Sequence, residues 1–417
     1  MTESPSSAAP EAPRLTWRAK AALLAFGLGL MAAVELLLRL SGVAPPPRLR
    51  DPLVEGGAVD RAYAPGALPG GEAAHVCPWI RPEFPANFQP IPLRKTSGEV
   101  RIFVFGGSSS VGYPHDGRLA FSSFLEAGLN AVLPAGRRAR VLNVAQNGIP
   151  AGTCLRLMRE MADYAPDLFV VYSGNNEYAN DHVYRNVRRG ERVVAGARGI
   201  AVHLALYRLI ERALLPARAR VHAAFFVGDS AAQAPAYSET ERRLIADNYA
   251  YVMAAMTELC AERNIGLLLC SVAANEADWP SYRSTFRPAT PAAEREAWRS
   301  AFARAIGAWK AGNADAVLEL VSGLEAVDDA RADLHFLAGR ALLARGRTAE
   351  AAARFTRALD LDNVCYRARP SQNELARRAA ATGGADFADV VAALRRAGAG
   401  APLGEALFWD HCHPRPA

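Results

Sequence analysis

Cysteine is scarce: six in 417 residues, with no CxxC pair and no Cys/His cluster of metal-ligand spacing. Nothing here calls for zinc or a redox dithiol. Cys154, Cys260 and Cys270 lie in apolar runs and read as small core residues. Lysine is scarce too, so arginine carries the positive charge, and the net value of +6 is mild for this length. No nucleic-acid motif accompanies it, so no nucleic-acid partner is expected. The sequence calls for no metal and no cofactor. Disorder is excluded by composition, since 51% of residues are hydrophobic and 22% charged. The length leaves room for two or three domains.

Two features stand out against that background. From Ala21 to Leu38 the chain is apolar except for Glu35, just long enough to cross a bilayer. Arg14, Arg18 and Lys20 precede the run, and Arg39, Arg48 and Arg50 follow it, so charge does not fix the orientation. A short tail followed by a large remainder reads as a signal anchor with the bulk exported. Cleavage after Ala44 would put Pro45 first in the mature chain, which disfavours a removable signal. Glu35 either pairs with Arg39 one turn on or lies near the interface. The second feature is a run of arginines: Arg185, Arg188, Arg189, Arg192, Arg198, Arg208, Arg212, Arg218 and Arg220. It reads either as a solvated helix face or as a surface for anionic lipid or acidic polysaccharide.

Short apolar runs then recur, each stopped by turn residues. Arg101–Phe105 ends at Gly106-Gly107, and Arg140–Val144 ends near Asn147-Gly148. Asp167–Tyr172 ends at Ser173-Gly174, Ile265–Cys270 at Ser271, and a last strand pattern covers Ala385–Val391. Helical patterns lie between them, including Ala151–Tyr164 and a stretch from Ser238 to Glu262 that opens with the capping box Ser238-x-x-Glu241. Strands alternating with helices predict a parallel sheet covered on both faces. Between about 291 and 363 the strands stop and the sequence is helical and Ala-rich. Gly312 and Gly346 are 34 residues apart, the TPR period. Gly339, Leu342, Gly346, Ala351, Phe355 and Ala358 fit one such repeat, and the unit before it is degenerate.

Where is the chemistry? Gly107 and Gly112 have P-loop spacing, but Tyr113-Pro114 stands where Lys-Ser/Thr would clamp phosphate. A GxSxG nucleophile elbow fails because Ser110 occupies the last glycine's place. A plain Gly/Ser turn remains open. In an open α/β sheet, however, sites form at the carboxyl ends of strands. Ser108, Gly148 and Gly174-Asn175-Asn176-Glu177 all fall there, and Asp410-x-x-His413 supplies an acid and an imidazole near the C-terminus. A serine needs a base, the base needs an acid, and the oxyanion needs N–H donors.

Taken in order, these residues resemble the SGNH/GDSL hydrolase superfamily. Its block Phe-Gly-Asp-Ser-x-Thr-x-Gly is matched by Phe105 to Gly112, its second-block glycine by Gly148, its Gly-x-Asn-Asp by Gly174 to Glu177, and its Asp-x-x-His by Asp410 and His413. The resemblance covers about 100–275 and 385–414. It implies a flavodoxin-like three-layer α/β/α sandwich and an ester hydrolase with Ser108 as nucleophile, His413 as base and Asp410 as its orienting acid. Ser108 N–H, Gly148 N–H and the Asn176 amide would form the oxyanion hole. Gly107, Ser109, Asn175, Glu177 and Asn275 are expected around a substrate pocket, and His115, Asp116 and Glu276 lie close by in sequence.

Two departures bear on activity. Gly107 replaces the acidic residue of the name motif, and the chain stops three residues after Pro414, where the superfamily continues into a closing helix. A loosely held His413 is the consequence to look for. His411 is the alternative partner for Asp410. Tyr172 and Tyr178 read as packing aromatics.

The expected organisation is a cytoplasmic tail (1–19), a transmembrane signal anchor (20–40), a linker and lead-in (41–99), a catalytic domain in two parts (100–290 and 364–417), and a TPR-like helical insert (291–363). The expected setting is a single-pass membrane protein with its catalytic domain extracytoplasmic, periplasmic in a Gram-negative cell. Expected partners are an acyl-ester substrate, the membrane through 20–40, and a protein bound by the insert. The same serine chemistry would serve acyl transfer to a sugar. A non-catalytic membrane scaffold is the rival reading.

Overall fold

The computed structural model describes residues 16–41, 62–68, 70–76, 89–115, 117–178, 204–207, 209–210, 236–363 and 365–415. The tail up to residue 15, Cys77, Asp116 and every arginine of the 185–220 stretch lie outside them. The chain divides into two compact units, Met1–Leu49 with Arg192–Phe226, and Arg50–Glu191 with Val227–Ala417. The sequence reading had kept 192–226 inside the catalytic domain.

In the first unit, helix α1 (Trp17–Leu40) starts three residues before the expected anchor, where Thr16 Oγ1 accepts the Ala19 N–H at 3.3 Å. It buries none of its residues, and its mean hydropathy reaches 2.2, so it is long and apolar enough to cross a membrane. Glu35 accepts from Arg39 Nε at 2.6 Å and also from the backbone N–H groups of Ala205 and Leu206, at 2.8 and 3.1 Å. The second contact was invisible in the sequence.

The second unit opens with strands β1 (Ala64–Ala67), β2 (Ala73–Val76) and β3 (Ile91–Pro92), a small antiparallel sheet inside the stretch read as linker. The main sheet and its helices follow. In chain order they are β4 (Glu99–Gly106), α2 (Ser108–Val111), α3 (Phe121–Val132), β5 (Arg138–Asn143), α4 (Ala151–Met161), β6 (Leu168–Tyr172), α5 (Glu239–Arg263) and β7 (Gly266–Cys270). Four helices interrupt it: α6 (Ala292–Lys310), α7 (Ala314–Val327), α8 (Ala332–Ala344) and α9 (Thr348–Leu361). Helix α10 (Pro370–Gly383), β8 (Asp386–Ala388) and α11 (Val390–Ala397) complete it.

All five strands of the main sheet are parallel, in the order β5-β4-β6-β7-β8. This is a doubly wound order, with its switch point where β4 separates β5 from β6. Alternation along β4 shows why both faces are covered. Phe103 and Phe105 join the core under α4, α5 and α10, while Ile102 and Val104 join the core under α3. The result is three layers, α/β/α. The last strand is shorter than its apolar pattern, because Asp389 accepts the Ala392 N–H at 3.1 Å and caps α11 there, which takes Val390 and Val391 into a helix.

The insert forms two helical hairpins, where the sequence had one clear unit. Its degenerate first half still packs: Trp298 is buried, and its Nε1 donates to Leu324 O at 3.2 Å. Gly312 and Gly346 occupy the same place in the two hairpins, each between paired helices at φ +73°, a conformation that favours glycine.

Candidate active site

Chain folding brings together residues that are far apart in sequence. β4 ends at Gly106, and Ser108 begins the short turn of helix that follows. Asp410 and His413 arrive on the C-terminal loop. His413 Nε2 lies 2.7 Å from Ser108 Oγ, and His413 Nδ1 lies 2.6 Å from Asp410 Oδ2. The carboxylate's other oxygen accepts the backbone N–H groups of Cys412 and His413, both at 2.9 Å. One four-residue turn therefore fixes acid and imidazole together.

Electrostatics match this geometry. Burial alone would raise the Asp410 carboxyl, but the His413 ring and the two N–H groups outweigh it and hold it well below the ordinary range. Burial pushes the Cys412 thiol up, so it stays protonated. Asp410, Cys412 and His413 could in principle close round an ion. Both His413 ring nitrogens are engaged already, Nδ1 with Asp410 and Nε2 with Ser108. His411 differs from His413. Its Nδ1 is 3.6 Å from Asp410 Oδ1, its ring packs against Trp279 and Tyr282, and burial lowers its pKa to about 4.

His413 is not held loosely. Trp409 N–H donates to His413 O at 2.8 Å, and Phe408 bridges Pro414. Arg415 returns its backbone N–H to Leu407 O at 2.8 Å and its Nε to Glu405 O at 2.7 Å.

Of the oxyanion candidates, Asn176 lies against the turn that carries Ser108. Gly148 holds φ +74° in the loop after β5. Asn176 crosses over Gly107, and one amide hydrogen goes to Ile149 O at 3.1 Å. A Cβ on residue 107 would come within 2.5 Å of that amide nitrogen, so the glycine that departs from the family motif is what lets Asn176 approach.

Four of the five residues expected around the pocket are framework instead. Ser109 Oγ donates to Cys412 O at 3.0 Å and accepts from Asn175 Nδ2 at 3.1 Å. Asn175 Oδ1 accepts the Ala368 N–H at 2.7 Å. Glu177 accepts the Ala151 N–H at 2.8 Å, at the start of α4. Asn275 donates to Asp410 O at 3.2 Å and accepts from Asp278 N–H at 3.0 Å. All four are buried, because each must satisfy backbone groups that the converging loops leave without partners. Glu276 is likewise taken up by Arg395, at 2.6 Å. Tyr172 does more than pack: its hydroxyl accepts the Ala273 N–H at 3.0 Å.

Sequence reasoning missed Asn143, which donates to Ser110 O and Ser122 Oγ at 2.8 and 2.9 Å and so ties the Ser108 turn to β5. An asparagine closing an apolar strand was the available signal. It also missed the rim. Tyr113 sits 4.8 Å from the His413 ring at 47% exposure, and Trp409, 58% exposed, meets His115 at 6.1 Å. His115 Nε2, both amide atoms of Gln146 and Asn147 Oδ1 are buried without protein partners.

No protein-family model and no curated protein matches this chain. Among solved structures it is similar to TesA, at 16% identity over 41% of this chain and 60% of that one, with a TM-score of 0.24. It is also similar to AlinE4, an SGNH-hydrolase family esterase, at 17% identity over 42% and 60%, with a TM-score of 0.24. A third is LAE5, an alpha/beta hydrolase enzyme from the metagenome of Lake Arreo, at 14% identity over 78% and 91%, with a TM-score of 0.34. The chain thus spans about 60% of TesA and of AlinE4. At such scores no activity passes from them to this protein, and the geometry stands alone.

His411 gives this site a pH signature. Its folded value of about 4 lies below the ~6.5 of free imidazole, so the unfolded chain binds the proton first as pH falls. Its contribution to stability is whole above pH ~6.5 and is lost progressively between there and about 4. Denaturant titrations at pH 7 and pH 5 should show the parent losing on the order of 2 kcal/mol more than His411→Phe. Equal losses in the two proteins would mean that His411 is not buried neutral.

Proposed function

We propose that this chain is a membrane-anchored serine hydrolase of acyl esters that works through an acyl-Ser108 intermediate. The observation that carries the reading is the unbroken line from Asp410 Oδ2 through the His413 ring to Ser108 Oγ, with contacts of 2.6 and 2.7 Å. Neutral His413 takes the Ser108 proton as Oγ attacks the ester carbonyl, and Asp410 stabilises the imidazolium that forms. The tetrahedral oxyanion receives N–H groups from Ser108, Gly148 and Asn176. Its collapse expels the alcohol, which takes the proton from His413, and water then cleaves the acyl-serine by the same route in reverse. A sugar hydroxyl in place of that water would make the enzyme a transferase.

An acylated glycan of the cell envelope is the substrate class we favour. The exposed faces of Tyr113 and Trp409 suit a flat, amphipathic ring, and the unpartnered groups on the loops carrying His115, Gln146 and Asn147 suit hydroxyls. The helical insert is proposed as a TPR-like module for a protein partner. Its support is the 34-residue repeat of Gly312 and Gly346 at one φ of +73°.

Turnover of p-nitrophenyl acetate tests the chemistry. Ser108→Ala and His413→Ala should each lose ~10⁴-fold or more in kcat, with the fold intact, while His411→Ala stays close to the parent. Asp410→Asn, lacking the charge that stabilises the imidazolium formed in the step, should cut turnover on the order of 10³-fold. A parent that turns over no ester at all, or a Ser108→Ala variant as active as the parent, would favour the scaffold.

Topology is tested separately. The proposed export of everything after α1 requires an alkaline-phosphatase fusion after residue 50 to be active and a cytosolic reporter at the same place to be silent. The opposite pattern would remove envelope glycans as substrates.

A further inference from the structure

Arg367 is 2% exposed, a guanidinium almost completely withdrawn from water. Burying such a charge is costly unless it is hydrogen-bonded, and with Nε left without a partner the bonds of its two Nη groups say what it is for. Nη1 donates to the carbonyls of Asn275 and Trp279, both at 2.8 Å. Nη2 donates to Pro280 O and to Asp362 Oδ2, both at 3.2 Å. Asp362, the first residue past α9, in turn accepts the N–H groups of Tyr282 and Arg283 at 2.9 and 2.8 Å. The chain segments that enter and leave the helical insert are therefore tied together at one buried ion pair.

That knot touches the loop carrying the acid. Asn275, whose carbonyl Arg367 holds, donates its backbone N–H to His411 O at 2.9 Å and its amide to Asp410 O at 3.2 Å. From the other side, the residue after Arg367 reaches the same loop through a second relay: Ala368 N–H to Asn175, Asn175 to Ser109, and Ser109 to Cys412 O. Two relays from neighbouring residues thus grip the backbone of Asp410, His411 and Cys412, the residues that set where His413 points.

We infer that Arg367 is a positioning residue for the Asp410–His413 pair, acting through Asn275, and that the exit of the helical insert is thereby part of the active centre's support. The inference rests on the serine-hydrolase reading for its kinetic consequences. A forked, planar group is required. It donates in four directions at once, where an ammonium has three donors on a flexible stem.

The test uses full-length protein and two measurements. Arg367→Met should lower kcat for p-nitrophenyl acetate ~100-fold through misplacement of the acid and base, with KM within about twofold of the parent. Methylguanidinium should restore part of the rate. Arg340→Met is the control: Arg340 also ties the insert to the post-β7 segment, at Ala277 O and the Asp278 carboxylate, but unlike Arg367 it does not hold the Asn275 carbonyl. It should keep kcat within about twofold, since surface-accessible ion pairs away from the site contribute little. The second measurement needs no turnover. The downfield proton resonance of His413 Nδ1–H, shared with Asp410, should be present in the parent and weakened or lost in Arg367→Met.

Parent-like kcat and an unchanged resonance in Arg367→Met would overturn the inference, as would an equal kcat loss in Arg340→Met. If Arg367→Met does not fold, Asn275→Ala decides: loss of its side-chain bond to Asp410 O should cost about tenfold in kcat with the same weakening of the resonance, and parent-like values refute the relay. A parent inactive on every ester defeats the hydrolase reading alone, because the resonance still reports whether Arg367 sets the Asp410–His413 geometry.

Discussion

A serine hydroxyl becomes a nucleophile at neutral pH only when an imidazole can take its proton along the path of attack. In the mechanism proposed above that imidazole is His413, 305 residues away in sequence, and the two meet at 2.7 Å. Much of the second unit can be understood as the apparatus that meets this requirement. The sheet fixes Ser108 on a strand end buried on both faces, where the β4 backbone has little freedom to shift. The C-terminal loop has no such strand beneath it. Its position is set by hydrogen bonds from Asn275, Ser109 and its own closing residues.

This division explains why so many polar side chains near the site are buried and occupied. Loops that converge at the carboxyl edge of a parallel sheet bring backbone N–H and C=O groups that cannot pair with one another. Ser109, Asn143, Asn175, Glu177 and Asn275 satisfy them. The groups left without protein partners on His115, Gln146 and Asn147 are exceptions beside them.

The strand ends were legible because a buried parallel strand writes a short apolar run that glycine or serine stops. Ser108, Gly148 and Asn176 could therefore be placed at strand ends, and their roles, with those of Asp410 and His413, were expectations from the family resemblance. The Asp-x-x-His spacing was legible for the same local reason: three residues bring the two side chains onto one turn. Arg367 and Asn275 were not legible in their roles, since their partners lie up to 135 residues away and nothing local marks either side chain as bound for Asp410. The first helical hairpin was faint because its packing rests on Trp298 and scattered apolar residues in place of the repeat's usual small ones. The end of β8 was misjudged because a single cap, Asp389, outweighed the strand preference of Val390 and Val391.

The account stands or falls on Ser108 being a nucleophile activated by His413. Reacting the full-length protein with a fluorophosphonate and locating the adduct by peptide mass spectrometry tests this directly, whatever the natural ester. One phosphonyl group should appear on Ser108, and His413→Ala should abolish its formation while the protein remains folded. Phosphonylation of Ser109 or Ser110 instead, or no reaction of folded parent protein at neutral pH, would contradict it.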